Sequence, residues 1–380
     1  MKFLHTSDWH LGRQFHNVSL IEDQKHVLNQ LLDYIDGEAV EAVIIAGDVY
    51  DRAIPPTIAV DLLDETLNKI CLDLKVPVIM IPGNHDSGDR LKFGANHFRQ
   101  GGLHILGELT RVTEPITLPN CPVHFYGIPY ADPERVRATF NVDVKSHDQV
   151  YGYLLEQITQ RPGFDQQPNV LISHCFIDGC QESDSERPLA IGGAERVNYQ
   201  LFTVFDYVAL GHLHRPQFKG KESIQYCGSL LKYSFSEQHQ AKGVTLVEMD
   251  GAGLQSVKRL PLTPLRNMRV IEGEFQQILK DGKSDPNADD YVQIRLADTH
   301  ALLDPMNYLR EVYPNVLELQ KIGTLLDANP QLSSINLAKQ DEFSLFADFF
   351  TQVQGEALTP EQAEALKTAI AAVHQEINAL

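Results

Sequence analysis

The chain has 380 residues, 43% of them apolar and 22% charged, which is the composition of a folded globular protein and not of a disordered one. Its 32 Lys+Arg face 51 Asp+Glu, a net charge of −19. This excludes polyanion binding by overall charge and confines any nucleic-acid contact to local basic patches. The length exceeds what one small core serves, so more than one domain is expected.

In chain order, Lys2 to His5 reads as a strand, and Ser7-Asp8 places an acid where a signal peptide needs its apolar stretch. Residues 22–36 carry Val27, Leu28, Leu31, Leu32 and Ile35 on one helical face. Val43 to Ala46 is a buried strand, 57–74 a helix and Val76 to Ile81 a strand. Further strands are expected at Val123–Ile128, Val170–Ser173 and Tyr207–Leu210, then more closely spaced at Ile224–Cys227, Val244–Met249 and Val257–Leu262. Strands alternating with helices predict an α/β core. Pro261 and Pro264 mark a boundary, giving a first domain over 1–264. Strands at 268–275, 291–297 and 315–322 with a helix at 305–312 predict a small α+β domain over 265–335, followed by helices over 336–380. No apolar run approaches the ~18 to 20 residues that span a bilayer. Five scattered cysteines without a CxxC pair argue against a disulfide framework and a thiolate zinc site. A cytoplasmic protein with no membrane attachment is expected.

Five segments concentrate His, Asp and Asn, each directly after a strand-like run: Asp8-Trp9-His10, Gly47-Asp48-Val49-Tyr50-Asp51, Gly83-Asn84-His85-Asp86, Ser173-His174 and Gly211-His212-Leu213-His214. In α/β proteins the carboxyl ends of strands share the edge where ligands gather, so the five segments should build one site. The glycines before Asp48, Asn84 and His212 are expected to allow sharp turns. Asp8, His10, Asp48, Asn84, His174, His212 and His214 make a seven-member oxygen and nitrogen set, too many for one tetrahedral zinc with an open position. The set suits two divalent cations bridged by one carboxylate, for which Asp48 is the natural choice. Such a pair can clamp the oxygens of a phosphate during in-line displacement, so phosphoester hydrolysis is the expected chemistry.

DxH, GDxxD, GNHD, a lone His after a strand and GHxH, in this order, resemble the five motifs of calcineurin-like metallophosphoesterases. Over almost the whole chain the sequence is similar to the bacterial SbcD nucleases, with His5-Thr6-Ser7-Asp8-Trp9-His10-Leu11-Gly12, Tyr226-Cys227-Gly228-Ser229 and Tyr233-Ser234-Phe235-Ser236-Glu237 matching stretches seen there. The resemblance implies a two-sheet αββα sandwich, a small α+β capping domain and a C-terminal helical tail. It implies a homodimer that works with an SbcC-type ATPase as an Mn2+-dependent DNA nuclease, cutting duplex ends, hairpins and single strands in repair and recombination. Carried over by position, Asp8, His10, Asp48 and His214 would hold one ion, and Asp48, Asn84, His174 and His212 the other. His85 would act on the substrate phosphate, Asp86 would orient His85, and Asp51, which is His in some relatives, would support the site. A stand-alone phosphatase, or a scaffold that has lost catalysis, are the competing readings. The capping domain and tail argue against the first and the complete ligand set against the second.

Arg13, Arg52, Arg90 and Lys92 follow metal motifs closely and are candidates for DNA phosphates. Helices 57–74 and 90–99 are candidates for a dimer seam. In the tail, Phe343, Phe346 and Phe350 with Leu345 and Phe349 form one apolar face, and Thr359-Pro360-Glu361-Gln362 reads as a capping box. Leu366, Ile370, Val373, Ile377 and Leu380 then recur at the spacing of a helix-packing seam, the expected grip on the ATPase.

Overall fold

Residues 2–6, with Phe3 and Leu4 apolar and Thr6 β-branched, form a strand that takes a central place in the first of two six-stranded sheets. A computed structural model describes residues 1–119, 121–186, 195–298, 302–322, 342–354 and 356–377. The chain forms two compact units, Met1–Met268 and Arg269–Leu380. In the first unit, one sheet runs in the order Gly253–Pro261, Gly243–Asp250, Lys2–Thr6, Ala42–Ala46, Val78–Ile81, Leu103–Ile105. The last four strands are parallel. The second sheet runs Gln217–Lys219, Lys221–Tyr226, Tyr207–Gly211, Asn169–His174, His124–Ile128, Ile116–Thr117, with its four central strands parallel.

The two sheets share one core. Phe3, Ala42, Ile44, Ala46, Ile79 and Ile81 of the first cluster with Phe125, Val170, Ile172, Tyr207 and Ala209 of the second. Alternation at period 2 sends the intervening residues to the opposite face. There Tyr126, Leu171, Val208 and Leu210 pack with Val150, Tyr151, Leu154 and Ile158 of the helix His147–Thr159, which Ser146 caps by accepting from the Gln149 amide. On the outer side of the first sheet Leu4, Val43 and Ile45 are buried. The helix Ile21–Gly37 buries Val27, Leu28, Leu31 and Ile35 and reaches that sheet's edge through Tyr34, whose hydroxyl donates to the Pro261 carbonyl at 2.7 Å. The αββα layering follows from strands that are apolar on both faces.

The segment expected as one helix over 90–99 is two short ones, Gly88–Leu91 and Ala95–Phe98, parted by Gly94 at φ 75°. Phe93 and Phe98 are left exposed, as are Ile54 and Ile58, whereas Leu62, Leu63 and Ile70 are buried. The helix Thr57–Asn68 runs on into a π-helical turn, Lys69–Asp73.

In the second unit the strands Met268–Gly273, Tyr291–Leu296 and Val316–Lys321 form a three-stranded sheet, its last pair parallel. Phe275 and Ile278 of the helix Phe275–Gly282, and Leu309 and Tyr313 at the helix Pro305–Val312, pack on Val292, Ile294 and Leu296. Two further helices follow, Glu342–Gln354 and Pro360–Ile377. Thr359 and Gln362 form a reciprocal cap, the Thr359 amide donating to Gln362 Oε1 at 2.9 Å and the Gln362 amide to Thr359 Oγ1 at 3.3 Å. Phe346 and Phe349 are exposed, and the Lys367 ammonium sits 5.5 Å from the Phe343 ring centre. The side chains of Leu345, Val373 and Ile377, and the whole of Leu380, lie outside the described residues.

Candidate metal centre

All five motif segments leave the carboxyl ends of parallel strands, three in the first sheet and two in the second. Register brings those ends level: Thr6 lies beside Ile45, Ala46 beside Ile81, and Gly211 beside His174. Four of the side chains then enter the site on backbone that L-residues avoid, Asp8 at φ 52°, His10 at 45°, Asp48 at 50° and His212 at 103°. Strain of this kind persists only where surrounding structure imposes it, and it clusters at functional sites. Here the Asp8 amide donates to the Gly47 carbonyl and the His10 amide to that of Asp48, each at 3.0 Å.

The glycines do something other than turn the chain. Gly47 has φ 87°, but Gly83 and Gly211 are not in the left-handed region. A Cβ on Gly83 would collide with the Asp48 carboxylate and amide, and one on Gly211 with the Ala46 carbonyl and His174 Nδ1. Absence of side chains at 83 and 211 lets the strand ends approach closely enough to share a site.

Asp48 stands at the centre. Its Oδ1 accepts from the His85 amide at 2.8 Å, while its Oδ2 lies 3.4 Å from His174 Nε2 and 3.7 Å from His10 Nε2. On one side, His10 Nε2 and His214 Nε2 face each other at 3.0 Å, and the Asp8 carboxylate takes the His212 amide at 3.0 and 3.2 Å. On the other, Asn84 Oδ1 lies 2.9 Å from His174 Nε2 and 3.2 Å from His212 Nδ1. All eight residues are largely withdrawn from solvent; Asn84 is half-buried and the rest are buried.

Burial alone would raise the Asp48 carboxyl, but the neighbouring His174, His10 and His85 hold it well below the ordinary carboxylate range. Burial likewise opposes charge on His174, yet Asp48, Asp8 and the Ala46 carbonyl lift it to about 9. His10 and His212 are driven well below the usual imidazole value, chiefly by burial. Asp8 is raised by burial against the pull of His174 and His214.

The donor set fits cations. Asp8, His10 and His214 each bring a ligand atom within 4.8 Å of one another, as do Asp8, Asp48 and His174, and His10, Asp51 and His85. His174 Nδ1 is 2.9 Å from the Ala46 carbonyl, His214 Nδ1 2.5 Å from Ser185 Oγ, and His85 Nδ1 2.7 Å from the Asp51 carbonyl. A hydrogen bond donated from Nδ1 turns Nε2 inward, and in the neutral ring that nitrogen carries the lone pair with which imidazole binds a metal.

Asp86 has a role other than the one expected. Asp86 does not touch the His85 ring; it accepts from the amides of Val49 at 3.0 Å, Tyr50 at 2.9 Å and Gly83 at 2.9 Å, and so ties two motif loops together. Burial and the nearby Asp48 charge push its carboxyl up to about 7. His85 is oriented instead by the main-chain carbonyl of Asp51. Arg13, a candidate for DNA, is engaged within the protein. It donates to Asp51 Oδ1 and the Ser185 carbonyl, both at 3.3 Å, and stacks 4.9 Å from the Tyr233 ring centre. Lys92 pairs with Asp89 at 2.8 Å, and the largely exposed Arg52 lies 3.9 Å from the Asp51 carboxylate.

Comparison with known proteins settles the family. Residues 1–216 match the calcineurin-like phosphoesterase family, and residues 264–354 match a family described as the Type 5 capsule protein repressor C-terminal domain. The chain is 36% identical to the SbcD subunit of the nuclease SbcCD from Staphylococcus epidermidis, over 97% of its own length and 97% of that protein's. The chain belongs to the SbcD family of calcineurin-like phosphoesterases. Among solved structures it is similar to a protein of Thermus thermophilus (12% identical, TM-score 0.41, 69% of this chain and 99% of that one). It is also similar to a dimetal phosphatase from Danio rerio (14%, TM-score 0.42, 70% and 99%). Sequence reasoning noted Tyr233–Glu237 as a stretch shared with SbcD proteins but gave it no place in the site. In the structure it backs onto His214 and Trp9, through Ser185 and through the Tyr233 hydroxyl, which donates to the Trp9 carbonyl at 2.5 Å.

Proposed function

We propose that the chain is the nuclease subunit of an SbcCD-type complex, hydrolysing DNA phosphodiesters at duplex ends, hairpins and single strands with two divalent ions, Mn2+ by choice. The observation that carries this reading is near full-length similarity to a nuclease subunit, together with a complete set of seven donor groups, Asp48 among them. Asp8, His10, Asp48 and His214 would hold one ion, and Asp48, Asn84, His174 and His212 the other. When bound, the ions polarise the phosphate and lower the pKa of water. The chain's own residues do the rest. Asp48 and Asp8 offset the positive charge of the site. His85, held through Nδ1 by the Asp51 carbonyl, presents Nε2 to the phosphate, where its protonated form neutralises developing charge or protonates the leaving oxygen. Asp86 keeps the Asp48 and Asn84 loops in register. Burial of the donor groups themselves, all but the half-buried Asn84, strengthens each of these interactions.

The C-terminal helices, with Phe346 and Phe349 exposed, suit the grip on an SbcC-type ATPase, and the exposed Ile54, Ile58, Phe93 and Phe98 suit a homodimer contact. No helix among the described residues is long and apolar enough to cross a membrane, in keeping with work on DNA in the cytoplasm. The test is a cleavage assay on linear duplex, hairpin and single-stranded DNA with Mn2+, Mg2+ or EDTA. Metal-dependent DNA cleavage that EDTA abolishes is expected. Turnover of p-nitrophenyl phosphates with no action on DNA would instead assign a stand-alone phosphatase.

A further inference from the structure

Glu237 and Lys242 form an ion pair sealed behind the first donor cluster, with the glutamate fully buried. Glu237 Oε2 takes the Lys242 ammonium at 2.5 Å, and Oε1 accepts from Ser185 Oγ at 2.5 Å, from Ser234 Oγ at 3.1 Å and from the Tyr233 amide at 3.3 Å. Four acceptors surround the three protons of the Lys242 ammonium, for besides Glu237 it lies 2.8 Å from the His214 carbonyl, 2.9 Å from Ser229 Oγ and 2.8 Å from Gln240 Oε1. A buried pair of this kind gives weak net stability, because desolvation offsets attraction, so its presence here invites another role.

The hydrogen count supplies one. Ser185 Oγ lies 2.5 Å from both Glu237 Oε1 and His214 Nδ1. A hydroxyl has a single proton, and an ionised carboxylate can only accept. The Ser185 proton therefore points at Glu237, and Oγ must accept from His214 Nδ1–H. That fixes His214 in the tautomer with a bare Nε2, the atom that faces His10 Nε2. The His214 amide is held as well, donating to Glu186 Oε1 at 2.7 Å. We propose that Ser185 and Glu237 are positioning residues, a hydroxyl–carboxylate relay that sets the tautomer and ring angle of His214 for the cation bound by Asp8, His10 and His214, with Lys242 anchoring Glu237. The relay rests on the two-ion reading and adds to it.

The test is calorimetric titration of the full chain with Mn2+, paired with thermal melting in EDTA. The wild-type chain should bind two ions. Ser185→Ala removes the relay without stranding a charge, since Glu237 keeps Lys242, Ser234 and the Tyr233 amide. Affinity at the site that His214→Ala abolishes should weaken about 10- to 100-fold, with the other site unchanged. The metal-free melting temperature should stay at the wild-type value. Ser185→Thr, which keeps the hydroxyl, should recover most of the loss. Glu237→Gln should weaken the same site and also lower the melting temperature, because Lys242 loses its counter-charge. Wild-type affinities at both sites in Ser185→Ala would overturn the relay. So would a loss spread over both sites with a lower melting temperature, which would make Ser185 merely structural. A wild-type chain that binds fewer than two ions would overturn the two-ion reading and the relay with it.

Discussion

Asp48 and His174 carry opposite charges in the metal-free site, and this sets how protons compete with metal. His174 titrates at about 9 in the folded chain against an ordinary 6.5, so its protonated form stabilises the metal-free fold below that ordinary value, and the stability is lost as pH rises through about 9. A metal needs the neutral ring, so ion binding at neutral pH must expel a proton from His174. Apparent Mn2+ affinity should therefore rise with pH toward 9, and calorimetry in buffers of different ionisation enthalpy should detect release of about one proton. His85 lies outside the proposed ligand set. We predict that His85→Ala binds two ions but lowers DNA cleavage by about 100-fold or more; metal analysis and rates on the same sample check both halves. The ligand types were legible in the sequence because each follows a strand and arrives in motif order. The residues behind them were not. A main-chain carbonyl such as that of Asp51 leaves no side-chain signature, and Ser185 and Glu237 meet across 52 positions with no local pattern.

At the scale of elements, the parallel strand ends and the glycines beside them hold the two halves of the site together. Gly211→Ala would press a methyl group onto the Ala46 carbonyl, which is backbone and has no room to move. Overpacking there should cost about 3 kcal/mol and lower metal affinity, measurable by denaturant melts and Mn2+ titration. These glycines were visible in the sequence, but as turn formers; only the pairing of the two sheets reveals that two of them serve close approach. Strand identities read well from alternation and apolar runs. Strand order did not, because the late strand Gly243–Asp250 returns to pair antiparallel with Lys2–Thr6, a partnership no local window contains. Helices 133–140 and 275–282 are short, with little apolar repeat to read, whereas 147–159 went unread although Val150, Tyr151, Leu154, Leu155 and Ile158 form an apolar stripe at helical spacing. For the tail, deletion of residues 341–380 should spare metal-dependent cleavage of single-stranded DNA and abolish co-purification with an SbcC-type ATPase. Tight association of the truncated chain would place the partner surface elsewhere.

For the whole molecule, a net charge of −19 sits beside a proposed polyanionic substrate. The two are compatible if the cations, and not the protein surface, supply the attraction at the point of cleavage, with exposed Arg52 contributing at the rim. Cleavage should then depend on Mn2+ far more steeply than on any one surface arginine. Asp48 concentrates that dependence, since both proposed ions share it. The most direct measurement is the rate of hairpin-DNA hydrolysis at saturating Mn2+ for the wild-type chain and for Asp48→Ala. The wild-type chain should cut and the variant should fall by about 1000-fold or more, having lost the carboxylate that bridges both ions. A variant that cuts at near the wild-type rate would contradict a dinuclear centre built on Asp48.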